Sequence, residues 1–172
     1  LWQSGCFRIT ASVSGSAGRA KPKPGVFRGI AQQFSFGSYV AAGCELSVTD
    51  GTKIRIHRIV AATDPGYAVN PAQIERQVSG SFVYGLSALF EQECTVKDGR
   101  IVQTNFDSFG SIRLAQMPPV ETIILQGGGP SWGGVGEPTI AVAAPAVLNA
   151  FYQATGRRLR NVPLKNLGVT LV

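Results

Sequence analysis

The stretch VAAGCELSVTDGTKIRI, residues 40–56, decides the fold class because it predicts a β-hairpin. From Val40 to Val48, apolar side chains alternate with small or polar ones, which is the period-two pattern of a half-buried strand. Asp50 and Gly51 then form a dipeptide that favours a two-residue type I′ turn. The alternation resumes after the turn, so the stretch predicts a sheet with one face against a core.

The single histidine of the chain, His57, falls in the second strand of this hairpin. Ile54 and Ile56 lie on one face of that strand, which places His57 on the other face with Lys53 and Arg55. We therefore interpret His57 as an exposed strand residue rather than as a catalytic base.

A second turn signal occurs at Asp98 and Gly99 in ECTVKDGRIVQ, residues 93–103, between two short β-prone runs. Two hairpins of the same design predict one antiparallel or mixed sheet that contains both.

A first helix is predicted over residues 70–90, where Asn70 suits the N-cap and Pro71 suits the first turn. Its apolar residues form one stripe, as expected for a helix that packs on a core. A different face carries small and polar residues that could admit a ligand or a closely packed neighbour, and the periodicity favours close packing. These residues are Gln77, Gly80, Ser81 and Tyr84.

A second helix is predicted from Pro138 to Thr155, ending at Gly156, a favoured C-cap residue. Pro145 inside it predicts a kink or two helical pieces. Its apolar side chains lie nearly all round the helix, which predicts burial, and Asn149 is the exception that needs hydrogen-bond partners. The predicted fold class is α+β, with a mixed sheet, hairpins and packed helices.

Composition narrows the function classes. The chain has 172 residues and a net charge of +6, but Lys and Arg are scattered, which disfavours nucleic-acid binding. Cys6, Cys44 and Cys94 form no CxxC pair, and there is only one histidine, which disfavours a zinc site or a protein-held iron–sulfur cluster. No apolar run approaches the roughly 20 residues of a membrane-spanning helix. Residues 1–25 lack any period and predict an irregular lead or linker before a domain at 26–172.

The segment 127–136 holds six glycines, so its backbone can approach a ligand closely. It matches neither a Walker A loop nor a dinucleotide-binding fingerprint. Glu137 follows directly, before Pro138 and at the predicted helix start. The residues alone favour an ordinary helix-start carboxylate stabilised by the helix dipole, with a functional carboxylate presented by the loop as the alternative.

Three motifs together resemble the C-terminal part of the molybdenum-binding large subunit of the xanthine oxidase family. They are DPGYAVNPAQIERQVSGSFVYGLSALF (64–90), DGRIVQTNFDSF (98–109) and WGGVGEPTIAVAAPAVLNAFYQATGRRLRNVPL (132–164). The resemblance extends over residues 25–168 and points most strongly to isoquinoline 1-oxidoreductase β subunits and related molybdenum aldehyde dehydrogenases. It implies that the chain is part of the molybdopterin-binding domain of a larger subunit.

The resemblance also implies a site. Its cofactor is a pterin-bound molybdenum with oxo, sulfido and hydroxyl ligands, in the molybdopterin cytosine dinucleotide form. Glu137 matches the family's active-site glutamate, the general base on Mo–OH, and Gln77 matches a glutamine that hydrogen-bonds near the oxo group. Four residues match the backbone stretch that passes the cofactor: Gly133, Gly134, Val135 and Gly136.

The implied activity is oxidation of a small-molecule aldehyde or N-heterocycle with oxygen from water. Electrons would leave through [2Fe–2S] clusters on an iron–sulfur small subunit, then to a cytochrome c or flavin subunit, while the remaining molybdenum-subunit polypeptide would complete the site. The implied compartment is the periplasm, with the cytoplasm as the alternative.

A second hypothesis is a non-catalytic structural or assembly fragment that binds no cofactor alone. Residues 1–22 depart from the helix usual in the family and are either a divergent linker or an artefact such as a shifted reading frame.

Overall fold

The computed structural model describes Thr10, Val13 and residues 22–172. In chain order the elements are β1 (Phe27–Ser35), β2 (Ser38–Thr49), β3 (Lys53–Asp64), α1 (Pro71–Phe90), β4 (Val96–Lys97), β5 (Arg100–Ile101), β6 (Val120–Ile124), α2 (Ile140–Thr155) and β7 (Thr170–Leu171). Strands β1, β2 and β3 pair antiparallel in sequence order, and β6 and β7 each pair parallel with β3. The predicted α+β class with a mixed sheet is confirmed.

The hairpin of β2 and β3 has the predicted turn. Asp50 and Gly51 have φ of 55° and 70°, and positive φ at both central positions is the requirement of a type I′ turn. Ile54 and Ile56 are buried on the core face of β3, and His57 is exposed as predicted. The His57 Nε2 atom lies 2.8 Å from Ser47 Oγ, so the ring has a structural partner on the neighbouring strand.

A β-bulge interrupts this pairing, which the sequence did not indicate. Leu46 pairs with Ile56 and Glu45 pairs with Arg58, so His57 is the extra residue of β3. Along β3, the residues that face the main core have even numbers before the bulge and odd numbers after it, so Ile59 faces the same core as Ile56.

The prediction that both hairpins belong to one sheet is wrong. Strands β4 and β5 form a separate two-stranded sheet, although Asp98 and Gly99 have the expected positive φ. All four residues of these strands are exposed, including the facing pair of Val96 and Ile101, so neither face of the hairpin is buried against the main sheet.

Strand β1 was not predicted, because its sequence FRGIAQQFS carries weak alternation. Gly29 interrupts the alternation because helix α2 packs directly on this position. A Cβ built at this position would lie 2.2 Å from both Ala146 O and Ala150 N, so only glycine lets the backbone of α2 approach the strand this closely.

Helix α1 has the predicted start. Asn70 is the N-cap, and its Oδ1 accepts a hydrogen bond of 3.3 Å from the backbone of Gln73, with Pro71 in the first turn. The predicted close packing of the small face holds only at Ser81, which is buried, whereas Gln77 and Tyr84 are exposed and an added Cβ on Gly80 would meet no atom within 4 Å. The close contact with α2 is made instead at Gly85, where an added Cβ would lie 2.6 Å from Ala143 Cβ.

Helix α2 starts two residues later than predicted, at Ile140, and ends at Gly156, which has the left-handed φ of 70°. It is continuous through Pro145, so the alternative of two helical pieces is wrong. The predicted all-round burial is also wrong, because Ala141, Pro145 and Asn149 are exposed. The Asn149 amide finds the partner that it needs by donating to Ile30 O over 2.9 Å.

The core lies between one face of the sheet and the two helices, with Phe82, Phe90 and Phe151 among its largest fully buried side chains. A smaller cluster lies on the opposite face, where Val13 is buried with Ala41, Val60 and Ala62.

Most of the predicted lead, residues 1–25, lies outside the described residues. The described residues of the lead are 10, 13 and 22–25, and of these Thr10 and Val13 have helical backbone. Among the described helices, none has the length and apolar character needed to cross a membrane.

Candidate functional site

One edge of the sheet gathers the chain segments of the candidate site. Strands β3 and β6 are parallel and end together, with Thr63 opposite Ile124. The β1–β2 turn lies at the same edge, because Tyr39 at the start of β2 pairs with Asp64 at the end of β3. The carboxyl ends of parallel strands are where open sheets with helical connections commonly bind ligands.

The glycine loop, defined here as residues 126–137, leaves the end of β6 and crosses this edge. It is fixed to the segment after β3 by backbone hydrogen bonds from Gly128 N to Gly66 O, at 2.9 Å, and from Gly133 N to Pro65 O, at 2.8 Å. The Tyr67 hydroxyl adds a bond of 3.0 Å to Gly129 O.

The middle of the glycine loop packs on the β1–β2 turn. A Cβ on Gly133 would lie 2.2 Å from Ser38 Oγ and 2.5 Å from Gly37 O, so glycine is needed here for protein packing. Gly134 N donates to Phe36 O over 2.7 Å, and Ser38 Oγ donates to Gly134 O over 2.6 Å. The smallness of Gly133 therefore serves the docking of the loop, and its predicted contact with a cofactor is untested.

The end of the glycine loop is open. Around Gly136, no atom lies within 4 Å of an added Cβ. The backbone N–H groups of Val135 and Gly136 make no hydrogen bond within the described part of the chain. Val135 itself is half-buried against the main core. This part of the backbone can approach another molecule, as expected from the glycines.

Glu137 is exposed in the turn that precedes α2. Its carbonyl accepts from Ile140 N over 3.0 Å, whereas its carboxylate makes neither a hydrogen bond nor an ion pair with any described residue. The N-cap position of the helix belongs to Thr139, which makes no side-chain cap. Glu137 thus does not act as a capping side chain.

Gln77 lies on the exposed side of α1. One turn later on the same face, Ser81 Oγ is 2.5 Å from Thr139 Oγ1, and both residues are buried. Thr139 is only two residues after Glu137, so this hydroxyl pair joins the helix face that carries Gln77 to the turn that carries Glu137. The two candidate side chains consequently flank one junction between α1 and α2.

Sequence reasoning missed Asp64 at this edge. Its side chain is buried, with 7% of its surface exposed, and its Oδ1 accepts from Gly66 N over 3.1 Å and from Gly127 N over 2.9 Å. The signal that could have found it is the Asp-Pro-Gly turn sequence directly after a buried strand.

The cysteines of the described chain do not join the site. Cys44 is fully buried in the sheet, and this burial, followed by the nearby charge of Glu45, raises the pKa of its thiol. Cys94 is exposed before β4. Among the described residues, no group of three or more His, Cys, Asp or Glu side chains could hold a metal ion.

Comparisons with known proteins agree with this architecture. A family model described as a molybdopterin cofactor-binding domain matches residues 9–118, more than half of the chain. The isoquinoline 1-oxidoreductase β subunit of Brevundimonas diminuta is 27% identical over 112 residues, which cover 65% of this chain and 14% of that protein. The aldehyde oxidoreductase molybdenum-binding subunit of Escherichia coli K12 is 27% identical over 146 residues, which cover 80% of this chain and 20% of that protein.

A solved structure shows the same fold at lower identity. Quinoline 2-oxidoreductase from Pseudomonas putida 86 superposes with a TM-score of 0.63 at 20% identity, covering 74% of this chain and 17% of that one. The chain thus spans at most a fifth of the length of these relatives. The family model ends before the glycine loop, but it includes the whole of β1 to α1. The chain belongs to the molybdopterin cofactor-binding domain family, within the molybdenum subunits of the xanthine oxidase family that its motifs resemble.

Proposed function

We propose that this chain is the part of a molybdenum-dependent oxidoreductase subunit that holds a molybdenum–pterin cofactor beside the end of the glycine loop, with Glu137 as the general base. The observation that carries the proposal is the exposed Glu137 carboxylate, which has no partner among the described residues and no capping role. A carboxylate held in this way is available to exchange a proton with a bound molecule.

The donor set at this edge fits the cofactor. A pterin presents a flat ring with hydrogen-bonding groups along its edges, which needs open backbone and amide partners rather than charged ligands. Val135 and Gly136 offer two N–H donors without partners in the described chain, and the open space at Gly136 leaves room for close approach. Gln77 adds an exposed amide that can both donate and accept.

When bound, the cofactor would supply the two-electron oxidising centre and the activated oxygen for hydroxylation. Glu137 would take up the proton released by that oxygen at one of its Oε atoms, because an ionised carboxylate only accepts hydrogen bonds. The Gln77 amide would hold the cofactor by donating from Nε2. The backbone of Val135 and Gly136 would fix its depth in the site.

The substrate that suits this chemistry is an aldehyde or an N-heterocycle, since both present an electron-poor carbon to an oxygen nucleophile. Overall, a C–H bond and one water would become a C–OH bond, two protons and two electrons. The electrons would pass to [2Fe–2S] clusters on a small subunit and then to a cytochrome c or flavin subunit. The cytosine dinucleotide form of the cofactor and a periplasmic location belong to the same proposal, which mass analysis of the extracted cofactor and cell fractionation would test.

The test is Glu137→Gln in the complete subunit, purified with its partners. General-base catalysis contributes roughly 10²- to 10⁴-fold in rate, so turnover per molybdenum should fall by about that factor while molybdenum and pterin content stay unchanged. Glu93→Gln is the matched control. Glu93 Oε1 accepts from Asn166 Nδ2 over 3.1 Å just beyond the far end of α1, and glutamine preserves this contact.

Unchanged turnover in Glu137→Gln would exclude the base role. Absence of molybdenum and pterin from the wild-type assembly would instead favour the alternative, a structural or assembly role for this domain.

A further inference from the structure

The Asp64 carboxylate is buried at the end of β3 without a salt bridge to any described residue. Burial of a carboxylate is costly unless hydrogen bonds replace its water shell. The donors found here are two backbone N–H groups, at Gly66 and Gly127, which belong to different loops. Asp64 therefore joins two segments that have no common secondary structure.

The fit around this carboxylate is close. A Cβ on Gly127 would lie 2.5 Å from Asp64 Oδ2 and 3.1 Å from Cγ, so the first residues of the glycine loop pack directly on the side chain. A glycine is required at position 127 because of Asp64, and not because of a turn with positive φ, since Gly127 has none.

The contact with Asp64 is the first of a series along the glycine loop. The next bonds run from Gly128 N to Gly66 O, from Tyr67 Oη to Gly129 O and from Gly133 N to Pro65 O. Every one of them joins the loop to residues 65–67, whose own turn is closed by the bond from Gly66 N to Asp64. Asp64 thus fixes both the first residues of the loop and the turn that the rest of the series binds, while bonds of Gly134 with Phe36 and Ser38 also hold the stretch next to Glu137.

We propose that Asp64 is a positioning residue: its carboxylate pins the glycine loop to the end of β3 and thereby sets the place of Glu137. The inference rests on the proposed function for the role of Glu137, but the pinning of the loop can be measured separately.

The experiment compares Asp64→Asn and Asp64→Ala in the complete assembly, with Asp107→Ala as the control. Asp107 is an exposed carboxylate whose contact is with the adjacent Ser108. Asparagine keeps the shape and one acceptor but loses the charge, whereas alanine leaves both N–H groups without the acceptor.

The first readout is amide hydrogen exchange at Gly66 and Gly127. Loss of a charge-assisted hydrogen bond should raise the exchange rate by about 10- to 100-fold in Asp64→Ala, with a smaller rise in Asp64→Asn.

The second readout separates positioning from general stability. If Asp64 positions Glu137, kcat per bound molybdenum should fall by about 100-fold in Asp64→Ala, with KM little changed and partial recovery in Asp64→Asn. Unchanged exchange at Gly127 in both variants would overturn the pinning. Faster exchange with an unchanged kcat per molybdenum would overturn the positioning role, as would a loss of activity explained entirely by lower molybdenum content.

These outcomes are distinct from a failure of the proposed function. If Glu137→Gln keeps its turnover, the base role fails while the exchange result at Gly66 and Gly127 still decides the pinning. If Asp64→Ala does not assemble, Asp64→Asn carries both readouts, because it is nearly isosteric with the natural residue.

Discussion

The substitution Gly29→Ala tests how the sheet and helix α2 are fitted together. The new Cβ would meet two backbone atoms of α2, Ala146 O and Ala150 N, at 2.2 Å. An ordinary contact needs 3.4 Å, so the helix and the strand must separate by about 1.2 Å, which is 3.4 less 2.2. Neither atom belongs to a side chain that could rotate away.

The expected cost lies at the upper end of the range for overpacked cores, about 3 kcal/mol, because the displaced helix also loses contacts of Val147 and Phe151. For a chain of this size, this free energy corresponds to a fall in Tm of roughly 6–12 °C. The assay is thermal and denaturant unfolding of the chain, followed by circular dichroism.

Gly80→Ala is the matched control. Gly80 lies within α1, and an added Cβ there meets no atom within 4 Å. Alanine should therefore stabilise the helix by about 0.5–1 kcal/mol. An unfolding temperature of Gly29→Ala equal to that of the wild type, or an equal fall in Tm for both substitutions, would contradict the close contact between β1 and α2.

Two further predictions concern buried polar groups. Ser81→Ala should lower the free energy of unfolding by about 1–3 kcal/mol, because it leaves the buried Thr139 hydroxyl without its partner. The double variant with Thr139→Val should lose less stability than the sum of the two single variants. Full additivity in denaturant unfolding would contradict the pairing. Burial raises the pKa of the Cys44 thiol, so the folded chain keeps a proton that the unfolded chain releases, and the free energy of unfolding should fall as pH rises above about 8.5. The fall should approach about 1.4 kcal/mol per pH unit and be absent in Cys44→Ala, and an equal slope in both proteins would contradict it.

The sequence predicts those parts of the fold that depend on local chemistry. The turn at Asp50 and Gly51 requires positive φ, which these residues tolerate, and the start of α1 depends on a cap and a proline that are adjacent in sequence. Both features were predicted and confirmed.

The unpredicted parts depend on contacts between distant residues. Strand β1 is recognisable only once α2 lies against Gly29, more than a hundred positions later. The hairpin of β4 and β5 has the correct turn, but the turn alone does not determine which sheet the strands join. Ala141 and Pro145 of α2 face solvent, although they look as apolar in the sequence as the residues that face the core.

The residues of the candidate site also fall into two groups, those that local sequence reveals and those that only the fold reveals. The glycines and Glu137 are conspicuous in the sequence, and the family was correctly identified from its motifs. Asp64 could not be singled out, because its importance comes from Gly127, which is 63 positions away in the chain but in direct contact. The packing role of Gly133 against Ser38 was likewise invisible before the fold was known.

The location of molybdenum in crystals of the complete assembly, from anomalous diffraction at the molybdenum edge, decides whether this chain presents Glu137 to the metal. We expect a peak at the open end of the glycine loop, with a Glu137 carboxylate oxygen within hydrogen-bond reach, about 2.6–3.2 Å, of an atom bound to the metal. A molybdenum peak elsewhere in the assembly, with the Glu137 carboxylate facing only protein or water, would contradict it.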